Sequence, residues 1–224
     1  MNSDKNTSRL LGAAFLLQAV ASMVASLFLL EPLIVSGNII DSMTNIANNA
    51  LQIRASIMVE MFTVIGIIML GVLMYVILKK QDMKIAIVAM GLYLVEAAIL
   101  AVSRISTFAL LLVSQESVIV GHPAYLQTLG NLFYESQQFG YDLHMLVFAL
   151  GATLFYYLFY KSGYIPKVLN LLGLIAAPLA LIGMPFVLLG YDVPIFVFIL
   201  NLPFELGIGV WLIVKGIRDG SETK

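Results

Sequence analysis

The sequence predicts an all-α membrane protein, a polytopic helical bundle of six transmembrane helices with both termini in the cytoplasm. Three observations predict it. Hydrophobic residues make up 61% of the 224-residue chain and charged residues only 11%, against about 25% charged in a soluble domain. Six apolar runs are each long enough to cross the roughly 20-residue span of a bilayer. The basic residues alternate between the two sides of those runs in a strongly one-sided way.

The first run covers about 9–34. It is too long for the short apolar core of a cleaved leader, so it reads as a retained first span. The second covers about 55–78 and the third about 84–113. The fourth covers about 140–160, the fifth about 166–190 and the sixth about 193–217, completing one integral membrane domain over 1–224. All six read as helices, because a backbone in lipid must satisfy its own hydrogen bonds. None alternates polar and apolar residues as a barrel strand would. With the N-terminus inside, Lys5, Arg9, Lys79, Lys80, Lys84, Lys161, Lys167, Lys215, Arg218 and Lys224 are cytoplasmic, and of the 12 basic residues only Arg54 and Arg104 fall elsewhere.

The two long outer connections carry helical spacing of their own. In 36–54, Ile39, Ile40, Met43, Ile46, Ala47, Ala50 and Leu51 recur at helical intervals and predict a short interfacial helix. In 114–139, Tyr125, Leu129, Leu132, Phe133 and Phe139 predict a second one, with aromatic anchors at headgroup level. No internal repeat supports an inverted-repeat transporter.

Composition excludes several chemistries. The chain has no cysteine, which removes disulfides, thiolate catalysis and cysteine-ligated metals. Its two histidines, His122 and His144, rule out a three-histidine metal site within one chain. No metal site is assigned, and no cofactor is named by the residues. A net charge of −1 gives no basic face for nucleic acid. The partners expected are the lipid bilayer and a small-molecule or lipid ligand.

Four stretches, SRLLGAAFLLQA, YDLH, FYKSGYIPKVLNLLGLIAAPLALIG and FELGIGVWLIVKGIR, carry a resemblance. They resemble a membrane family catalogued as domain of unknown function 4386. The likeness runs through nearly the whole chain and is strongest from Tyr141 to Arg218. It implies a multi-span protein found mainly in bacteria, in the cytoplasmic membrane. It supplies no activity, substrate or cofactor.

Function therefore rests on polar residues at membrane depth, which cost several kcal/mol in lipid and face the bundle interior as a rule. The candidate ligand-binding residues are Glu60, Glu96, Arg104, His144, Asn201 and Glu205, with Gln18 as a neutral companion. Counted from the helix ends at about 1.5 Å per residue, most of them share a layer in the outer half of the bilayer, with Glu96 near the midplane and Gln18 and Asn170 as inner-half exceptions. Asn201 and Glu205 are i, i+4 on one face. Glu96, Ser103 and Thr107 form one stripe, and Ser56, Glu60 and Thr63 another. Pro203 removes a helical hydrogen bond, so the sixth span is expected to open between Asn201 and Glu205. Small residues such as Gly66, Gly71 and Gly209 permit close helix contact. Trp211, Tyr156, Tyr157 and Tyr160 read as an inner aromatic belt, and His122 as a solvated loop residue.

Arg104 has three candidate partners, Glu60, Glu96 and Glu205. A carboxylate left over from that pairing must be protonated, bind a cation or meet water. The leading expectation is a buried polar pocket that binds or transports a small molecule, lipid or ion. Two alternatives stand beside it: an intramembrane metal-dependent hydrolase using His144 and carboxylates, and a structural or regulatory subunit with a packed ion-pair core.

Overall fold

A computed structural model describes residues 2–217, with side chains from Asn6 onward. The side chain of Lys5, and all of Arg218 and Lys224, lie outside the described residues. Among the described residues, six helices are long and apolar enough to cross a membrane. The protein is an integral membrane protein built as a helical bundle. The helices are α1 (Asn2–Met23), α2 (Ile39–Asn48), α3 (Ala50–Leu78), α4 (Met83–Ile119), α5 (Ala124–Ser162), α6 (Lys167–Leu188), α7 (Phe196–Ile199) and α8 (Asn201–Val214).

The first span does not end as a plain α-helix. From Val24 to Leu30 it widens into a π-turn, with the Glu31 N–H bonded to the Ser26 carbonyl, and it closes with a 3-10 turn over Glu31–Leu33. Pro32 explains the change, since it has no N–H to give back to the helix. Gln52 covers part of the deficit by donating to the Leu29 carbonyl at 2.9 Å.

The connection between the first two spans forms the expected short helix, α2. The Asn38 side chain caps it by accepting from the Asp41 N–H at 3.1 Å, as N-cap residues do. Its buried side is narrower than the sequence suggests. Ser42, Met43 and Ile46 are buried, whereas Ile40 faces out and Leu51 belongs to the exposed side of α3.

The connection between the third and fourth spans corrects the sequence reading. No separate helix occupies 114–139; α4 runs on to Ile119 and α5 already starts at Ala124. Nothing in Ser114–Ile119 breaks a helix. The break comes at Gly121 (φ 79°) and His122 (φ 58°), followed by Pro123. His122 is also not a free loop side chain. Its N–H donates to the Ser117 carbonyl at 2.8 Å, its Nδ1 lies 3.1 Å from Ser117 Oγ, and its carbonyl accepts from Gln127 Nε2 at 2.6 Å.

The sixth span is interrupted at Leu200, between α7 and α8. The interruption sits one step earlier than expected. Pro203 falls in the first turn of α8, where a missing N–H costs little. In α6 the helix continues through both Pro178 and Pro185.

Two compact units can be distinguished, one of Met1–Ala19, Ile65–Ala97 and Asp142–Lys224, the other of Val20–Val64 and Ala98–Tyr141. In the first, glycines set the helix spacing. A Cβ on Gly12 would stand 2.6 Å from the Gly209 carbonyl oxygen, and one on Gly66 would stand 2.7 Å from Gln18 Cβ. Gly71 and Gly151 make the same kind of room for Tyr93, at 2.9 Å each. Aromatic rings fill the centre. Tyr156 lies 4.3 Å from Phe204, Phe204 meets Phe15 edge-on at 6.4 Å, and Tyr93 meets Phe155 at 5.3 Å.

These contacts make a direct prediction. Gly12→Leu should lower stability by about 1–3 kcal/mol, the usual cost of overpacking, because the clashing atom is backbone. Gly91, whose Cβ would meet nothing within 4 Å, is the control. Thermal melts in detergent compare the two, and equal melting of Gly12→Leu and Gly91→Leu would refute the close contact of α1 with α8.

In the second unit an apolar cluster of Leu30, Leu33, Met43, Ile46, Ile53, Leu110 and Leu111 packs α2 onto the adjoining helices. Outward faces are apolar throughout. On α4, Val102, Ile105 and Leu112 are exposed while Ser103, Arg104 and Thr107 are buried, the inverse of a soluble amphipathic helix.

Candidate functional site

The six sequence-selected side chains are all buried, none more than 9% exposed. In the first unit, α8 presents Asn201, Phe204, Glu205, Ile208, Gly209 and Leu212 as one buried stripe, the i, i+3, i+4 spacing of a helix face. Asn201 stands at the start of this helix and spends its amide on backbone. Its Nδ2 lies 3.4 Å from the Ala176 carbonyl of α6 and 3.4 Å from the Phe198 carbonyl of α7.

Glu205, one turn on, looks to α1 instead. Gln18 Nε2 donates to its Oε2 at 2.8 Å. Two close approaches make this bond possible. Gly12 and Gly209 let α1 and α8 touch, and Gly66 lets α3 press on the back of Gln18. The amide is a neutral donor, so it orients the carboxyl group without cancelling its charge.

Glu96 of α4 lies within electrostatic reach of Glu205, and its Oε2 has no hydrogen-bond partner. The hydroxyls of Tyr93 and Tyr156 are buried within electrostatic reach of each other and of both carboxyl groups. The cluster is thus Gln18, Tyr93, Glu96, Tyr156 and Glu205, contributed by α1, α4, α5 and α8. His144 is also buried in this unit, on α5. The chemistry on offer is acid–base chemistry: two carboxyl groups, two phenols and an orienting amide in an apolar surround. Among the described residues no group of three His, Asp or Glu side chains forms a metal-ligand set.

The second unit holds the other pair. Arg104 Nη1 lies 3.9 Å from Glu60 Oε2, a distance for charge attraction and beyond a hydrogen bond. The guanidinium is steadied by Ser103, whose Oγ accepts from Nε at 3.2 Å and Nη2 at 3.0 Å. Ser103 in turn donates to the Leu100 carbonyl at 2.7 Å. Gly140 lets α5 close on this corner, since a Cβ there would stand 2.6 Å from Ser103 Cβ. Of the three carboxylates open to Arg104 in the sequence, Glu60 is the one beside it.

Residues 10–216 match the profile of the domain of unknown function DUF4386. The chain belongs to this family. No curated protein and no solved structure matches it. The matched segment of this DUF4386 protein includes Gln18, all six candidate residues and both tyrosines of the first-unit cluster.

Two members of that cluster escaped the sequence. Tyr93 carried no signal inside an apolar run, apart from standing three residues before Glu96. Tyr156 reads as an aromatic-belt residue but is 1% exposed, whereas Tyr157 at 44% and Tyr160 at 60% do face outward. Adjacent tyrosines point about 100° apart on a helix, so only one of the neighbours can turn inward. Gln18 stands out in the sequence by its polarity alone, which carries no sign of its bond to Glu205.

Proposed function

We propose that this membrane protein binds an ion inside its helix bundle, and that the ion is a proton held by the Glu96–Glu205 pair. The observation that carries the reading is the burial of two carboxyl groups within reach of each other, with the neutral amide of Gln18 as the hydrogen-bond donor to Glu205. Two neighbouring carboxylates in a desolvated site repel each other, and a shared proton relieves that repulsion. Binding and release of that proton would be coupled to the uptake or binding of a small molecule, lipid or ion.

Infrared difference spectroscopy of purified protein across a pH series tests this. Protonation of a buried carboxyl group brings a carboxylic C=O band that comes and goes with pH. The band should be lost or halved in Glu205→Gln and in Glu96→Gln, with the fold retained. If both variants keep the parent's spectrum, the reading fails.

A second reading is favoured by the Arg104–Glu60 pair, a charge pair that can pin helices with no ligand. It gives a subunit whose buried polar groups serve packing alone.

The bacterial cytoplasmic membrane is the proposed location, with both termini inside. The basic residues between the second and third and the fourth and fifth spans support it. Reporter fusions at Lys80 and Lys161 should both report cytoplasm. A periplasmic signal at Lys161 would overturn the orientation.

A further inference from the structure

We infer that the cavity beside the turn between the first span and α2 is a binding site for a small uncharged amphiphile, one with an apolar body and a hydroxyl-bearing head. The site lies wholly in the second unit. It shares no residue with the Glu96–Glu205 pair and stands or falls apart from the proton reading.

The cavity measures about 320 Å³, at the lower end of the range of small-molecule sites. Its floor is the apolar cluster of this unit. Ile46 of α2 and Leu110 of α4, each 1% exposed, belong to that cluster, and Ile34, Ile39 and Tyr134 pack against it. Its rim is polar and exposed, with Ser36, Asn38 and Asn131. The turn makes the room. The chain leaves the helical path at Ile34, which is extended, and reverses at Gly37 with φ 73°. A Cβ on Gly37 would meet nothing within 4 Å, and Ser36 beside it is small, so the turn spans the space without filling it.

This wall is built in advance of any ligand. The Val35 N–H donates to Ser42 Oγ at 2.9 Å, and Ser42 Oγ donates to the Asn38 carbonyl at 2.8 Å. The Asn38 N–H closes the turn on the Val35 carbonyl at 3.0 Å. A preformed wall spares a ligand the cost of ordering it.

The same bonds decide which groups meet the ligand. The Ser42 hydroxyl is spent on the turn, and the Asn38 side chain on Asp41, accepting from its N–H at 3.1 Å and donating to Oδ2 at 2.6 Å. That leaves Ser36 and, from α5, Asn131 and Tyr134, three residues apart on one helix face. Hydroxyl, amide and phenol suit a hydroxyl head. Among the described residues no charged side chain lines the cavity. A charged head would therefore be desolvated over Ile46 and Leu110 with no counter-charge, at a cost a neutral one avoids. Leu110 lies inside the third apolar run, whereas Ser36 and Asn131 lie outside the runs. The cavity thus reaches from hydrocarbon to headgroup level, the position an amphiphile takes up in a bilayer.

Photolabelling tests the site. Protein in lipid nanodiscs is photolysed with a diazirine-bearing long-chain alcohol, and the labelled peptides are mapped by mass spectrometry. Labelling should saturate and concentrate on 34–46 and 131–134. The carboxylate and ammonium analogues of the same chain should label these segments far less. Asn131→Trp, at the exposed rim, should abolish the labelling, while Leu132→Trp, exposed on the same helix and not part of the lining, should leave it intact. The double variant Asn131→Leu with Tyr134→Phe keeps the space and removes both α5 head contacts. Its half-saturating alcohol concentration should rise about fivefold or more, the factor that one neutral hydrogen bond is worth. Labelling that never saturates, equal labelling by the charged analogues, equal labelling of the two Trp variants, or an unchanged half-saturation in the double variant would each overturn the assignment.

Discussion

Arg104→Ala should cost about 3–5 kcal/mol of stability, the range for breaking a buried charge pair by removing one partner. The loss is large because Glu60 stays behind in a buried position with its counter-charge gone. Much of it should return in a double variant, Arg104→Met with Glu60→Met, where no charge is left to desolvate. Arg104→Lys should recover only part, because an ammonium lacks the planar fork that reaches Ser103 Oγ through Nε and Nη2 together. Thermal or denaturant unfolding in detergent gives the ranking. Parent-like melting of Arg104→Ala would mean that the guanidinium and the carboxylate are not joined in the folded protein.

Glu205→Leu should be the most damaging change in the first unit. It strips Gln18 Nε2 of its acceptor at 2.8 Å, which alone is expected to cost about 1–3 kcal/mol. It also removes the partner that shares electrostatic reach with Glu96. Glu205→Gln preserves length and an acceptor oxygen, and its cost should stay below about 1 kcal/mol. Pairing Glu205→Leu with Gln18→Leu removes both ends of the bond and should restore much of the stability, but not the pH-dependent infrared band. That split separates proton binding from mere support. If stability and band return together in the double variant, Glu205 is a packing residue and the proton reading is lost.

How far these sites could be seen in the sequence varies with the distance over which information travels. The six spans were legible because each is a long apolar run, and the polar residues stood out against them. The ends of α4 and α5 were not, because an apolar run stops where the membrane stops, while a helix goes on until something such as Gly121 or Pro123 breaks it. The stripe of Ser103 and Thr107 was legible from spacing within one helix. The choice of Glu60 for Arg104 was not, because spacing inside one helix says nothing about which neighbour it turns to. The bond from Gln18 to Glu205 spans 187 positions, and no local pattern can announce it. Tyr156 is hidden in the sequence for a related reason: its neighbour Tyr157 is the same residue type, and Phe204 packed against Tyr156 tells them apart.

The meeting of α1 and α8 bears on how the chain comes together during synthesis. Arg104 finds Glu60 on the preceding span, so that pair can form as soon as α4 enters the membrane. Gln18 is made early, yet Glu205, Gly209 and Ile217, whose N–H donates to Ser8 Oγ at 3.0 Å, come at the end. The first span must therefore wait for the last one, exposing an unanswered amide to lipid or to the insertion machinery in the meantime. A chain that stops before α8 would keep the Gln18 amide without the carboxyl group that accepts from it.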